Sequence, residues 1–207
     1  MTTQIHLVTT AEAYCHTLDW PQFFRGLSEG ADLTPNGLAQ AKLLGEFIAD
    51  NDFPEATGIY VAPETRARDT AITAFDQVPE STKTIEIERA LRDRSYGDLA
   101  KFPKKTTPLQ VAKDAQLTGI DVVTGSCIEQ ETFVADRMIG LLNRLGKERE
   151  GELGVYCFSD IEPVACLLRA LKANDKDISD LGHAQIVSLQ IDDDSREQDF
   201  VRSISTC

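Results

Sequence analysis

No stretch of the sequence approaches the roughly 20 consecutive apolar residues of a membrane span, so no membrane partner is expected. The N-terminus has no basic region leading into an apolar one, which predicts no secretory signal and a cytoplasmic protein. Cysteines number only five, Cys15, Cys127, Cys157, Cys166 and Cys207. The count is odd and no pair has metal-ligand spacing, which argues against a disulfide framework or a zinc site. Cys157 and Cys166 sit among apolar residues and read as core. Basic residues are also scarce, 21 against 34 acidic ones, for a net charge of -13. Such a chain repels nucleic acid and anionic membranes at long range, and neither is expected to bind it. A small anion in a local basic pocket stays open. With only three histidines, any imidazole chemistry must come from His6, His16 or His183.

What is present reads as one globular domain over 1–207. A hydrophobic share of 42% and a charged share of 27% suit a folded chain of this length. Residues 4–9 form an apolar run that ends in Thr9, Thr10, Ala11 and Glu12, as a buried strand does when it delivers its last residues to a ligand site. Residues 11–33 read as an irregular loop. Thr34-Pro35 combines a hydroxyl N-cap with proline at the first helical position, and a helical period runs to about Asn51. A short strand spans Gly58 to Ala62, and Pro63 is expected to open a helix with a small face of Ala67, Ala71 and Ala74. Thr84 to Glu88 alternates as a strand. Residues 99–130, with weak periodicity, read as an inserted, lid-like region. Phe133 to Leu145 is an amphipathic helix, Leu153 to Phe158 a strand, and Ile161 to Leu171 a helix. Ala184 to Ile191 and Phe200 to Ile204 read as strands antiparallel to each other across an acidic turn. Strands alternating with helices imply a mostly parallel sheet covered on both faces, a three-layer α/β/α sandwich with an antiparallel edge.

Several local words then coincide in order. Leu33-Thr34-Pro35-Asn36-Gly37-Leu38-Ala39-Gln40-Ala41 matches a Leu-Thr-x-x-Gly-x-x-Gln-Ala helix start. Ala62-Pro63-Glu64-Thr65-Arg66-Ala67-Arg68-Asp69-Thr70-Ala71 matches Ser-Pro-x-x-Arg-Ala-x-x-Thr-Ala in all but the serine. Leu91-Arg92-Asp93-Arg94-Ser95-Tyr96-Gly97 follows Leu-x-Glu-Arg-x-Tyr/Phe-Gly with aspartate for glutamate. Glu129 lies eight residues before Arg137, as in a reduced Gly-Glu-Ser word, and Gly182-His183-Ala184-Gln185-Ile186 is similar to a closing His-Asn-Cys-Gln-Ile. In this order, the words resemble the histidine phosphatase superfamily, or phosphoglycerate mutase-like family, over nearly the whole chain.

The resemblance implies a phosphoglycerate mutase-like fold and a phosphoryl-transfer pocket. In that pocket one histidine attacks phosphorus, a second histidine and two arginines hold the phosphate, and a carboxylic acid protonates the leaving group. The family's Arg-His-Gly-Glu reads Thr9-Thr10-Ala11-Glu12 here, and its Ser-His-Gly reads Ser159-Asp160-Ile161, followed by Glu162. Threonine therefore holds the nucleophile position with no evident base beside it. Asp160 replaces the second histidine, and only Arg66 and the shortened acid Asp93 remain.

Four questions stay open at this point. Arg66 either binds an anionic group or pairs with Asp160 through a bidentate fork. Asp93 is either a surviving general acid or a structural or surface carboxylate. Glu12, Asp93, Asp160 and Glu162 could gather around a hard divalent cation, although Arg66 in their midst argues against a metal, and no cofactor is expected. Among possible stand-ins, His6 lies about 13 Å up the strand from Thr10. His16 could face the cavity, His183 could pack or cap, and Cys15 lacks the Cys-x5-Arg cradle of a cysteine phosphatase. The expectation is an inactive binding or scaffolding protein, with a small anion at Arg66 or a protein as its partner and a homodimer left open. The alternatives are a divergent small-phosphoester hydrolase and a small-molecule sensor that uses the altered pocket.

Overall fold

The strand Thr2–Thr9 (β1) carries Ile5, Leu7 and Val8, all inaccessible to solvent. A strand apolar on successive residues is buried on both faces, and β1 lies inside a six-stranded sheet. The computed structural model describes residues 2–17, 31–51, 53–78, 84–95, 129–173, 178–192 and 201–205, the last by backbone alone. The other strands are Gly58–Val61 (β2), Ile85–Ile87 (β3), Val155–Ser159 (β4), Ile186–Asp192 (β5) and Val201–Ser205 (β6). They lie in the order β3-β2-β4-β1-β5-β6. The first four of this order pair in parallel, and β5 runs antiparallel to both β1 and β6.

Four helices cover the sheet among the described residues: Pro35–Asp50 (α1), Thr65–Phe75 (α2), Glu131–Glu148 (α3) and Ile161–Ala170 (α4). Helix α1 packs on α2, and α3 packs on α4. The result is the three-layer α/β/α sandwich with a mostly parallel sheet. Most of the lid-like region at 99–130 lies outside the described residues, and only Glu129 and Gln130 of it are placed.

Local chemistry sets where these elements sit. The Thr34 hydroxyl accepts Gly37 N–H at 2.9 Å and caps α1, with Pro35 in the first turn. A Cβ on Gly37 would lie 1.9 Å from the Glu12 carbonyl oxygen, so this glycine lets α1 press against the chain leaving β1. Gly45 serves α1 against α2 in the same way, 2.1 Å from the Ala74 carbonyl oxygen by the same measure. Helix α2 begins at Thr65, two residues beyond the expected start at Pro63. Glu64 remains extended (φ -68°, ψ 136°), and its side chain bonds to Asp93 N–H instead of capping the helix.

His6 is a core residue. Its Nε2 lies 3.1 Å from the Leu153 carbonyl oxygen, which can only accept, so Nε2 carries the proton. Nδ1 then accepts from the Ser188 hydroxyl at 2.8 Å, and the ring stacks on Tyr156 at 4.7 Å. Burial pulls the imidazole down to about 4, against the Leu153 bond that raises it. The unfolded chain therefore takes up a proton near pH 6.5 that the folded chain refuses. From His6, stability is full above about pH 6.5 and falls as pH drops toward about 4, by about 3 kcal/mol in all. Urea midpoints measured across this range should show the decline in the wild type. His6→Phe should remove this component, and an unchanged pH slope in that variant would refute the assignment.

Candidate functional site

The site lies at the carboxyl ends of the parallel strands, where α/β sheets bind their ligands. Strands β1 and β4 are adjacent with Thr9 opposite Ser159, and Thr10 N–H bonds to the Ser159 carbonyl at 2.9 Å. Thr10 and Asp160 thus leave the sheet side by side. Asp160 precedes α4 in the N-cap position, yet its side chain caps nothing. It turns to Arg66, in the first turn of α2, whose Nε lies 2.9 Å from each Asp160 oxygen. Arg66 Nη2 also bonds Asp160 Oδ2 and reaches Asp93 Oδ2 at 3.2 Å. Arg66 is fully buried, and Asp160 and Asp93 are 7% and 8% exposed.

This pairing governs the electrostatics. Burial pushes the Asp160 carboxyl up, but the Arg66 charge and hydrogen bonds, with the Thr10 hydroxyl, hold it down to about 2. Burial acts to lower the Arg66 guanidinium, and Asp160 and Asp93 more than reverse it. Asp93 is raised well above the usual carboxylate range, by burial first and by Asp160 next, with Arg66 opposing. A surface role for Asp93 is therefore corrected: it is a buried member of the Arg66 cluster.

A second correction concerns Thr10. The sequence suggested no base beside it, whereas its hydroxyl donates to Asp160 Oδ1 at 2.5 Å. A carboxylate held near 2 has almost no tendency to take a proton from an alcohol at neutral pH. The contact fixes the threonine without activating it. The Thr9 hydroxyl is also committed. It donates to the Gly182 carbonyl at 2.7 Å and accepts Gln185 N–H at 2.9 Å, tying the closing word to the end of β1.

The accessory residues separate. Glu12 leaves the pocket, because its carboxylate accepts the Thr34 hydroxyl at 2.6 Å beside the start of α1. Glu162 pairs with Arg94 at 3.1 Å. The four carboxylates do not gather as cation ligands, and no group of three or more His, Cys, Asp or Glu suited to a metal occurs among the described residues. Cys15 is buried at 1% exposure. His16 and His183 do come together, with ring centroids 4.5 Å apart. His183 Nδ1 donates to the Thr10 carbonyl at 3.0 Å, and His16 Nδ1 accepts Ala13 N–H at 3.0 Å. These contacts give each ring one fixed backbone partner at Nδ1. Glu129 is gripped by Arg92, at 3.0 and 2.8 Å, and by Arg137 at 3.0 Å.

Two neighbours of the site were not singled out in the sequence. The Thr70 hydroxyl bridges the Arg66 carbonyl (2.7 Å) and Ala11 N–H (3.1 Å), holding α2 against the end of β1. Glu64 accepts Asp93 N–H at 2.9 Å. A glutamate before a helix ordinarily reads as a partner for the helix dipole, and no local pattern signals its burial.

Residues 23–202 match the family described as histidine phosphatase superfamily (branch 1). No curated protein sequence matches the chain. Solved structures do. YhfR of Bacillus stearothermophilus is 16% identical, with a TM-score of 0.69 over 98% of this chain and 96% of that one. Phosphoglycerate mutase of Bacillus anthracis is 15% identical, with a TM-score of 0.68 over 100% and 92%. A mycobacterial glucosyl-3-phosphoglycerate phosphatase, solved with VO3, is 18% identical, with a TM-score of 0.66 over 97% of each chain. At these identities the likeness is one of fold, and it agrees with the family match over most of the sequence: the chain belongs to the histidine phosphatase superfamily.

Proposed function

We propose that this protein is a binding or scaffolding member of its family whose phosphoryl-transfer site is closed from within. One observation carries the reading: a carboxylate of the chain, Asp160, occupies the buried Arg66 fork that would otherwise hold a phosphate. An incoming phosphate would have to displace Asp160 and then sit beside two further carboxyls, Asp93 and Glu64. Removing the partner of a buried charge costs about 3–5 kcal/mol, so the exchange is unfavourable before any repulsion is counted. The two positions where the family resemblance implies histidines are Thr10 and Asp160, and neither side chain can carry a phosphoryl group as an imidazole does. Binding then falls to the exterior. A protein partner fits the acidic surface better than nucleic acid or an anionic membrane, in a cytoplasmic setting.

A divergent hydrolase is the competing reading, and the stacked His16 and His183 beside Thr10 favour it. Small phosphoesters assayed with and without magnesium, on the wild type and on His16→Ala, separate the two. A closed site gives no turnover above background and no phospho-enzyme. Turnover that disappears in Arg66→Ala would overturn the proposal.

Two variants probe the plug itself. Arg66→Ala leaves Asp160 and Asp93 without their cation and should destabilise the fold by about 3–5 kcal/mol, read as a lower urea midpoint. Asp160→Ala empties the fork. Vanadate should then raise the melting temperature of that variant and leave the wild type unmoved; an equal rise in both would show that the fork was already open.

A further inference from the structure

Carboxyl groups around Arg66 outnumber its charge. Asp160 and Asp93 both bond the guanidinium. The third, Glu64, directs its carboxyl at Asp93, accepting the Asp93 N–H through Oε1 at 2.9 Å. Donors reach the Asp160 oxygens from Arg66 and Thr10. They reach Asp93 Oδ1 from Arg94 N–H at 2.7 Å and Asp93 Oδ2 from Arg66 at 3.2 Å. Glu64 Oε2 differs from all of these: it is buried and has no hydrogen-bond partner among the described residues, on a residue only 7% exposed. An ionised carboxylate with a bare oxygen in the interior is a costly state, and a neutral acid avoids most of that cost.

Among the described residues no other cation bonds the Glu64 carboxyl, and Arg92 and Arg137 reach Asp93 only through its backbone carbonyl, at 3.2 and 3.4 Å. From α4 comes Glu162, which is paired with Arg94. From the loop after β1 come Cys15, within electrostatic reach of Arg66, and His16, within reach of Asp160. From α2 comes Arg66 itself, already shared between two aspartates.

We propose that the carboxyls of the closed pocket share one proton, that Glu64 Oε2 carries it above the range in which ordinary carboxyls ionise, and that this proton helps to keep Asp160 on Arg66. Burial raises the Glu64 carboxyl and Asp160 raises it further, against the Asp93 N–H bond that lowers it. Asp93 is raised too, so the cluster titrates as a coupled set. When the proton leaves, Glu64 becomes a second anion without its own cation and competes with Asp160 for Arg66. The pocket is therefore a latch that weakens as pH rises. A folded-state carboxyl raised above its unfolded value stabilises fully below that unfolded value and loses the contribution as pH passes the folded one. This is the reverse of the His6 effect, and it holds whether or not the chain turns over a phosphoester.

Infrared spectra of the intact protein test the assignment. The wild type should keep the carbonyl stretch of a neutral carboxylic acid as pH rises beyond the range in which ordinary carboxyls ionise. Glu64→Gln should abolish that band, and Glu162→Gln should leave it. Glu64→Gln should also show a flatter decline in stability as pH rises past the ordinary carboxylate range, because the amide reproduces the neutral acid. Absence of the band in the wild type, or its survival in Glu64→Gln, would overturn the assignment. So would a Glu64→Gln protein whose stability declines with pH as steeply as the wild type.

Discussion

A buried guanidinium needs a negative partner, and in this protein the partner comes from the chain itself. Arg66 has no exposed surface, and both nearby aspartates converge on it. Three elements meet through this contact: the first turn of α2, the residue that follows β4, and the stretch after the short 3-10 helix Arg89–Leu91. Thr10 adds the end of β1 by donating to the same aspartate. In a phosphate-binding pocket these four segments would be held apart by a ligand's oxygens. Here a side-chain carboxylate holds them together, so the proposed plug also ties the carboxyl ends of β1 and β4 to α2.

Much of the fold is legible in the sequence. The Thr34-Pro35 start, the Ala67/Ala71/Ala74 face and the apolar strand at Val155–Ser159 depend on local propensity and periodicity, which sequence reports directly. The pairing of Arg66 with Asp160 was one of two readings left open, because an arginine without its phosphate and an aspartate in place of a histidine suggest each other. Less was legible where a side chain's direction decides its role. Glu12 looked like part of the pocket but turns to Thr34, and Asp93 looked compatible with the surface but is buried. Glu64 carried no signal, since its importance comes from a neighbour 29 positions away in the chain. Contacts between distant residues are set by topology, and periodicity does not encode them.

Two buried titratable centres oppose each other across the fold. His6, on β1 among Tyr156, Phe53 and Ser188, is held neutral by its surroundings and makes acid unfavourable. The carboxyls clustered at Arg66 are raised above their ordinary values, so their contribution to stability is lost as pH rises through them. Both effects arise from one cause, the cost of placing a net charge where water cannot reach.

The claim on which the rest depends is that Asp160 fills the Arg66 fork. The 15N resonance of the Arg66 side-chain Nε–H, followed through a titration with vanadate, addresses it directly. A filled fork predicts a resonance that is well resolved, protected from exchange and unmoved by the anion. A resonance that shifts and saturates as vanadate is added would mean that the phosphate site is open, and would contradict a closed pocket.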